Sequence, residues 1–271
     1  MGLLRRVTLQ NGAEVDLWAA RDAVVMKALA LVLPSQLPLS TRCTHLQGHG
    51  GLTYAVRQVL AQLPQQRFVL KTDVQSYDAS MDHHLLLERL AVHLPDRQVR
   101  NLLGHYLRRC AERGGRYWEH RQGIALGSPL SPILGAFVLT EGDEALERLG
   151  LFTVRDMDDI LVLAPSRWKL RQAVKVLNQG LASLRLVKHP HKTFIGRIER
   201  GFEFLGYHFR PEGLGVASKT LANFVARVRQ LYEQEREKPS GSSTLGDYVR
   251  RWGRWVNAGV PTAPQRLLSV L

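Results

Sequence analysis

The amino-acid sequence predicts a mixed α/β fold of the α+β kind, built on a central antiparallel sheet, and three observations carry that expectation. Phe68, Val69 and Leu70 form an unbroken apolar run of strand length leading to Asp73, the pattern of a strand buried on both faces. Further on, VRDMDDILVLA (154–164) reads as a hairpin. Asp156, Asp158 and Asp159 crowd its turn, and Ile160, Leu161, Val162 and Leu163 lead out as a second apolar strand. Elsewhere the apolar residues recur at helical spacing, as at Val24, Ala28 and Leu31.

The elements follow in chain order. Residues 1–20 alternate around Asn11-Gly12, a two-residue hairpin turn signal, with Val7 and Leu9 before it and Val15 and Leu17 after it. Ala20–Leu33 is a helix opened by Arg21 and Asp22 and stopped by Pro34. Residues 34–51 read as loop ending in GHGG, which lacks the Lys-Ser/Thr ending of a nucleotide loop. Leu52–Leu63 is a second helix, and Arg67–Thr72 is the buried strand. Asp82 is placed to cap a helix over His83–His93. Leu102–Glu112 is expected as another helix, ended by Gly114-Gly115. GIALGSPLSP (123–132) is loop, and Leu134–Leu146 a helix with Ser131 as its cap and Pro132 in its first turn. After the acidic hairpin come a basic amphipathic helix (Lys169–Leu184), a turn (188–193), a strand (Phe194–Ile198) and the hairpin GFEFLGYHF (201–209). From Arg210 onward the chain turns helical, Thr220–Gln234 and Leu245–Asn257, about a Pro-Ser-Gly-Ser-Ser loop.

Composition narrows the function. With 271 residues, 45% of them hydrophobic, the chain can bury a real core in one large or two modest domains and is not disordered. Lys plus Arg number 37 against 24 Asp plus Glu, a formal net charge of +13. Such an excess suits a polyanion, nucleic acid before an anionic membrane surface. No run approaches the length of a membrane span, and the start lacks the apolar core of a signal peptide. Cys43 and Cys110 have no metal-ligand spacing and make no disulfide framework, so a reducing cytoplasm is expected.

The chemistry lies in the acidic residues. A lone Asp-Asp is usually a good turn and no more. Here an apolar strand starts directly after the pair, and like charges at a strand edge repel unless a cation or solvent answers them. If the strand before Asp73 lies beside the hairpin, Asp73, Asp158 and Asp159 come together as oxygen ligands for two Mg²⁺ ions, the arrangement used in nucleotidyl transfer. Lys192, a little further on, is placed to protonate a leaving pyrophosphate; the other reading is a plain surface lysine.

An ordered series of motifs then resembles the reverse transcriptases, specifically the bacterial group II intron-like and retron-like polymerases. KTDVQSYDASMDHHLL (71–86) is similar to the family's first palm motif, and GIALGSPLSP (123–132) to its Gly-rich template and nucleotide loop. RDMDDILVLA (155–164) resembles the metal-binding hairpin, HPHKTFIG (189–196) the Lys-Thr motif, and GFEFLGYHF (201–209) the primer grip. ARDAVVMKALALVL (20–33) looks like a fingers segment. The resemblance implies a right-hand polymerase. Its fingers would be 1–68, with an N-terminal part truncated relative to the family. Its palm, on the antiparallel sheet, would be 69–209 with a fingers insertion near 96–122, and its helical thumb 210–271. It implies an RNA-directed DNA polymerase that uses two Mg²⁺ ions (Mn²⁺ as the alternative), dNTPs, an RNA template and a DNA or RNA primer. A bacterial cytoplasm, no membrane, and a retroelement or antiviral-defence setting go with it. Asp73, Asp158, Asp159 and the backbone carbonyl of Val74 are the implied metal ligands, and Lys192 the general acid. Asp78, Gly127, Ser128 and Arg21 are the implied nucleotide contacts, with Arg5 and Arg6 as further candidates.

The chain departs from the family's pattern at three positions. At 78 the family usually has Phe or Tyr beneath the sugar, and this chain has Asp78. Before the Met-Asp-Asp it usually has Tyr, and this chain has Asp156. Leu126 replaces a Gln common in the group II enzymes. The two acidic replacements are expected to add negative charge beside the metals and to impair polymerisation. Two other functions stay open: a weak or dead RNA-binding protein of maturase type, and a nucleotidyl transferase with relaxed sugar selectivity. Phe204, Tyr207, Trp252 and Trp255 are expected in the core, and His189 and His191 near the site without being ligands.

Overall fold

The computed structural model describes residues 2, 4–8, 14–237 and 244–259. The chain opens with β1 (Leu4–Thr8), β2 (Glu14–Leu17), α1 (Ala20–Val32) and α2 (Gly51–Gln62). It continues through β3 (Phe68–Thr72), α3 (Tyr77–Ser80), α4 (His83–His93), α5 (Arg97–Leu107), β4 (Cys110–Arg113) and β5 (Arg116–Glu119). Then follow α6 (Ser131–Val138), α7 (Thr140–Glu147), β6 (Phe152–Asp156), β7 (Asp159–Ala164), α8 (Arg167–Ser183) and β8 (Phe194–Arg197). The chain closes with β9 (Phe202–Phe204), β10 (Tyr207–Arg210), β11 (Gly213–Val216), α9 (Ser218–Glu237) and α10 (Thr244–Gly259).

The central sheet has the order β6-β7-β3-β8, every pairing antiparallel. The apolar runs of β3 and β7 are continuous because both faces of the sheet are covered. Side chains alternate along a strand. Val69, Leu161 and Leu163 therefore pack on one side against Ala55, Val56 and Val59 of α2 and against Phe202, Phe204, Tyr207 and Phe209. Leu70, Ile160, Val162 and Ala164 pack on the other, against Leu134 and Phe137 of α6 and Leu170, Ala173 and Leu177 of α8. Each of these valine, leucine, isoleucine or phenylalanine side chains taken fully out of water contributes about 1.5–3 kcal/mol.

A second sheet, β2-β1-β4-β5, corrects one expectation. Cys110–Arg113 is a strand, paired in parallel with β1 through Leu4↔Ala111 and antiparallel with β5, and not the end of a helix over 102–112. The preceding helix starts earlier, because Asp96 accepts from the backbone N–H of Gln98 and Val99 and so caps α5 at Arg97. Gly114 and Gly115, both at positive φ, form the β4–β5 turn. The helix expected over 134–146 is two helices, broken at Leu139 with φ −95° and ψ 1°. Ser131 is the first residue of α6 and not its cap; its hydroxyl donates to the Ala125 carbonyl. The hairpin over 201–209 gains a third strand, β11, giving the order β11-β10-β9. The expected Asn11-Gly12 turn lies outside the described residues, although β1 and β2 pair as a hairpin would, with Val7 opposite Val15.

The last two helices close an aromatic cluster. Trp252 stacks on Phe224 at 3.9 Å between ring centroids, Trp255 lies 4.5 Å from Tyr207, and the Tyr207 hydroxyl donates to the Trp255 carbonyl at 2.7 Å. These aromatics are structural, as the sequence suggested. Among the described residues no helix is long and apolar enough to cross a membrane.

Candidate active site

The β3–β7 ladder runs to Thr72↔Ile160, so its next step sets Asp73 opposite Asp159 on the same sheet. Asp156 pairs with Asp159 to close the β6–β7 hairpin, leaving Met157 and Asp158 as its turn. Met157 adopts a left-handed conformation, φ 54°. Asp73, Asp158 and Asp159 thus gather at one end of the sheet, Asp73 itself buried. Their charges act on one another. The Asp158 carboxyl is pushed up to about 6, by burial first and then by Asp73, Asp159 and Asp78. Asp159 is raised by burial, against the pull of Lys71, whose Nζ lies 3.2 Å from Asp159 Oδ1. Lys192 Nζ donates to Asp73 Oδ2 at 2.8 Å, and that bond holds the ammonium above its ordinary range. Lys71 escaped the sequence reading. The signal was its place two residues before Asp73, on the same face of the strand.

The donor chemistry fits a hard divalent cation. Asp73 and Asp159 each face a lysine, Asp158 is raised by burial and by the neighbouring carboxylates more than its backbone hydrogen bond lowers it, and the buried Oδ1 of Asp78 has no hydrogen-bond partner. Among the described residues no three acidic, cysteine or histidine groups converge as a finished cage. Val74 forms an isolated bridge with Lys188, flanked by Gln75 N–H to Val187 O (2.8 Å) and His189 N–H to Asp73 O (2.7 Å). In such a bridge the Val74 carbonyl faces away from residue 188.

The acidic turn is held from behind by Arg155, which sequence reasoning missed. Its guanidinium is fully buried. Nε and Nη2 donate to the Asp143 carboxylate at 2.6–3.0 Å, Nη2 to Ala136 O at 3.0 Å, and Nη1 to Met157 O at 2.8 Å. Burial alone would lower its pKa, and Asp143, with Cys43 and Tyr77, more than offsets that. The N–H of Met157 donates to His45 Nδ1 at 3.0 Å, while His45 Nε2 faces Pro132 O at 2.8 Å. Both contacts are met by a neutral ring protonated on Nε2, and burial lowers the His45 pKa accordingly. Both polar groups of the Met157 backbone are therefore fixed by side chains, the carbonyl by Arg155 of the hairpin's own first strand and the N–H by His45 from the loop before α2.

The remaining expectations divide. Asp78, on the short α3, is half-buried, its carboxyl raised by burial, and it acts on Asp158. An aromatic does stand beside this turn, one residue earlier than expected. Tyr77 is buried and donates to Gly135 O at 2.6 Å, and both its ring and Met157 come so close that a Cβ on Gly135 would meet them at 3.3–3.4 Å. Asp156 is turned toward another loop, where its carboxylate accepts from the Thr44 hydroxyl at 2.8 Å, and the charges that raise Asp158 are those of Asp73, Asp159 and Asp78. Gly123 lies so close to α3 that a Cβ would sit 2.8 Å from the Asp78 and Ala79 carbonyls, and its φ of 82° favours glycine. Gly127, φ 75°, is exposed at the loop tip. Ser128 turns inward instead: its hydroxyl lies 3.6 Å from Met26 Sδ and accepts from Leu130 N–H. Arg21 is exposed in the first turn of α1. Arg6 is pinned to Asp16 at 2.7 Å and lies over the Trp118 ring.

Residues 23–209 match the family described as reverse transcriptase (RNA-dependent DNA polymerase). No curated protein matches the chain. Two solved structures share its fold. Apo telomerase from Candida tropicalis, truncated from its C-terminal domain, is 12% identical with a TM-score of 0.53 over 73% of this chain and 45% of that one. Telomerase from Candida albicans, in complex with the TWJ fragment of telomeric RNA, is 12% identical with a TM-score of 0.56 over 87% of this chain and 45% of that one. The chain thus spans less than half the length of either telomerase.

Proposed function

The chain belongs to the reverse transcriptase family, and from that premise we propose that it is an active RNA-directed DNA polymerase of the bacterial group II intron-like or retron-like kind. The observation that supports this most is the gathering of Asp73, Asp158 and Asp159 at the end of one antiparallel sheet. In this reading residues 1–68 with the insertion near 96–122 are the fingers, 69–209 the palm and 210–271 the thumb. The pairing of β1 with β4, which joins the insertion to the N-terminal hairpin, supports the first grouping.

Asp73, Asp158, Asp159 and the Val74 carbonyl would hold two Mg²⁺ ions, with Mn²⁺ as the alternative. When bound, that pair neutralises charge on the attacking 3′-hydroxyl and the leaving pyrophosphate. The protein's own groups do the rest. Asp158 gives up its proton near pH 6 and so presents a carboxylate at neutral pH. Lys192 keeps a proton on Nζ, half-exposed at the edge of the cluster, where pyrophosphate would leave. Arg155 and His45 fix the Met157 backbone, so the carboxylates before and after it move little. Gly127 lets the loop backbone approach the incoming dNTP, paired to an RNA template and joined to a DNA or RNA primer.

The test is primer extension on poly(rA) with oligo(dT) and dTTP, then with UTP. Extension with dTTP that falls by about 10²–10³-fold in Asp158→Asn supports the reading, that being the scale of losing one preorganised charge-stabilising group. RNA binding without extension in the wild type would sink it in favour of a maturase-type protein.

A further inference from the structure

At the other end of the central sheet lies a cavity of about 680 Å³ that the polymerase reading does not use. The sheet order leaves β8 at an edge. Leu170, Ala173 and Leu177 of α8 pack over β3 and β7. Beyond that contact the described residues leave the same face of β8 uncovered at Ile195. The result is a groove with an apolar floor of Phe68, Val174 and Ile195, the last 44% exposed. Around it stand Arg167 and Arg171, one helical turn apart on α8, and Arg197 and Arg200 from the end of β8 and just past it. All four are exposed. Among the described residues no carboxylate lines the groove; Glu199, just outside, lies 3.5 Å from Arg197 in a solvent-exposed contact.

We propose that this groove is a second nucleic-acid site, holding a single-stranded RNA segment outside the polymerising cleft. The choice of RNA rests on the proposed function; the groove does not. Three features favour a phosphate backbone. The cations come from two separate elements yet converge on one cavity with no acid between them. Every one is arginine, whose planar fork binds phosphate oxygens in pairs and stacks on unpaired bases. The floor of half-buried Phe68 and exposed Ile195 gives an apolar surface for a base face. The bland reading is a solvated rim on a basic protein, and that reading gives the four no common partner. The groove is also remote from the carboxylates. Phe68, opposite Arg197, precedes Asp73 by five residues along the strand, roughly 16 Å at 3.3 Å per residue. One RNA strand can therefore occupy this groove while another stretch is copied.

The experiment uses the full chain and a labelled single-stranded 12-mer RNA, with affinity followed by fluorescence anisotropy from 50 to 300 mM salt. The groove variant carries Arg167→Gln, Arg171→Gln, Arg197→Gln and Arg200→Gln. A charge-matched control carries Arg97→Gln, Arg116→Gln, Arg148→Gln and Arg236→Gln, all exposed and outside the groove. Thermal melts confirm that both fold. The groove variant should lose about 2–3 units of log K against log salt slope, roughly 0.7 per lost phosphate contact on a single strand. The control should lose fewer than one. Equal losses in the two variants overturn the proposal. So does equal displacement of the RNA by polyglutamate of the same charge, which would point to an acidic protein segment. Asp158→Asn should keep the RNA slope of the wild type. A chain that extends no primer but shows the groove effect therefore leaves the groove standing and removes only the polymerase reading.

Discussion

Arg155 grips Asp143 through three contacts of 2.6–3.0 Å, with side-chain exposures of 0% and 3%, and directs Nη1 to the carbonyl of Met157. An ion pair this deep is not itself strong evidence of net stabilisation, because desolvation offsets most of the attraction. Removing one partner is another matter, since the other charge is then stranded in the core.

Asp143→Ala should therefore destabilise the chain by about 3–5 kcal/mol. For a chain of this size that is a drop in Tm of roughly 6–20 °C. Arg155→Lys keeps the charge but loses the fork to Ala136 and Met157, and should lower dNTP incorporation more than it lowers Tm. Calorimetry beside primer extension separates the two effects. A Tm within 2 °C of wild type in Asp143→Ala would mean that the pair does not hold the hairpin.

The pair also shows what the sequence could and could not tell. The acidic hairpin and the strand before Asp73 were legible because both rest on local apolar runs and turn chemistry. Arg155 was not, because a single charge in an apolar strand means nothing until its acid is found. That acid sits twelve residues upstream, on a helix that begins after an unforeseen break at Leu139. Cys110–Arg113 was misread as helix for a similar reason. Its partner strand, β1, lies a hundred residues away in sequence, and Gly114-Gly115 suits a helix stop as well as a hairpin turn. Ser128 was placed at the nucleotide because of its loop, but burial against Met26 decided its orientation.

The Asp158 carboxyl, raised to about 6, carries a signed prediction for the metal-free protein. The folded state holds this proton more tightly than the unfolded chain, whose ordinary aspartate value is about 3.9. Stability from this group is therefore greatest below about pH 4 and is lost as pH rises through 6. A divalent ion needs the deprotonated carboxylate, so its effect runs the other way. Mg²⁺ should raise Tm clearly at pH 8 and little at pH 5. Asp158→Asn removes the buried charge, so at pH 8 without metal it should melt above wild type and respond weakly to Mg²⁺. A metal-free Asn variant that melts below wild type would contradict the origin given for the shift.

Lys192 gives a kinetic prediction. Its Nζ donates to Asp73 and is held charged there. If Lys192 is the proton donor proposed above, Lys192→Met should reduce kcat by about 10²-fold or more, with little change in the KM for dNTP. Lys192→Arg, cationic but a far poorer proton donor, should not restore it. A rise in KM with kcat unchanged would make Lys192 a binding group, and rescue by arginine would make it a simple counter-charge.

Asp78 and Asp156 both replace aromatics expected beside the metals, yet the structure separates them. Asp156 accepts from Thr44, whereas Asp78 leaves a buried Oδ1 unpartnered and helps raise Asp158. A second carboxylate near a triphosphate works against nucleotide binding by about 1–4 kcal/mol per unit charge pair at ~4 Å, for effective dielectrics of 80 down to 20. Asp78→Asn keeps the shape and removes the charge, so it should speed dNTP incorporation several-fold at pH 8 and lower the apparent KM. Asp156→Asn should stay within about twofold of wild type, because its carboxylate is turned to the Thr44 hydroxyl on another loop and is not among the charges that raise Asp158. The rates are measured by single-nucleotide incorporation at several Mg²⁺ concentrations. Slower incorporation in Asp78→Asn at every concentration would mean that this carboxylate serves the cation site and is no brake. An equal gain from Asp156→Asn would mean that the Thr44 bond does not keep that charge from the nucleotide.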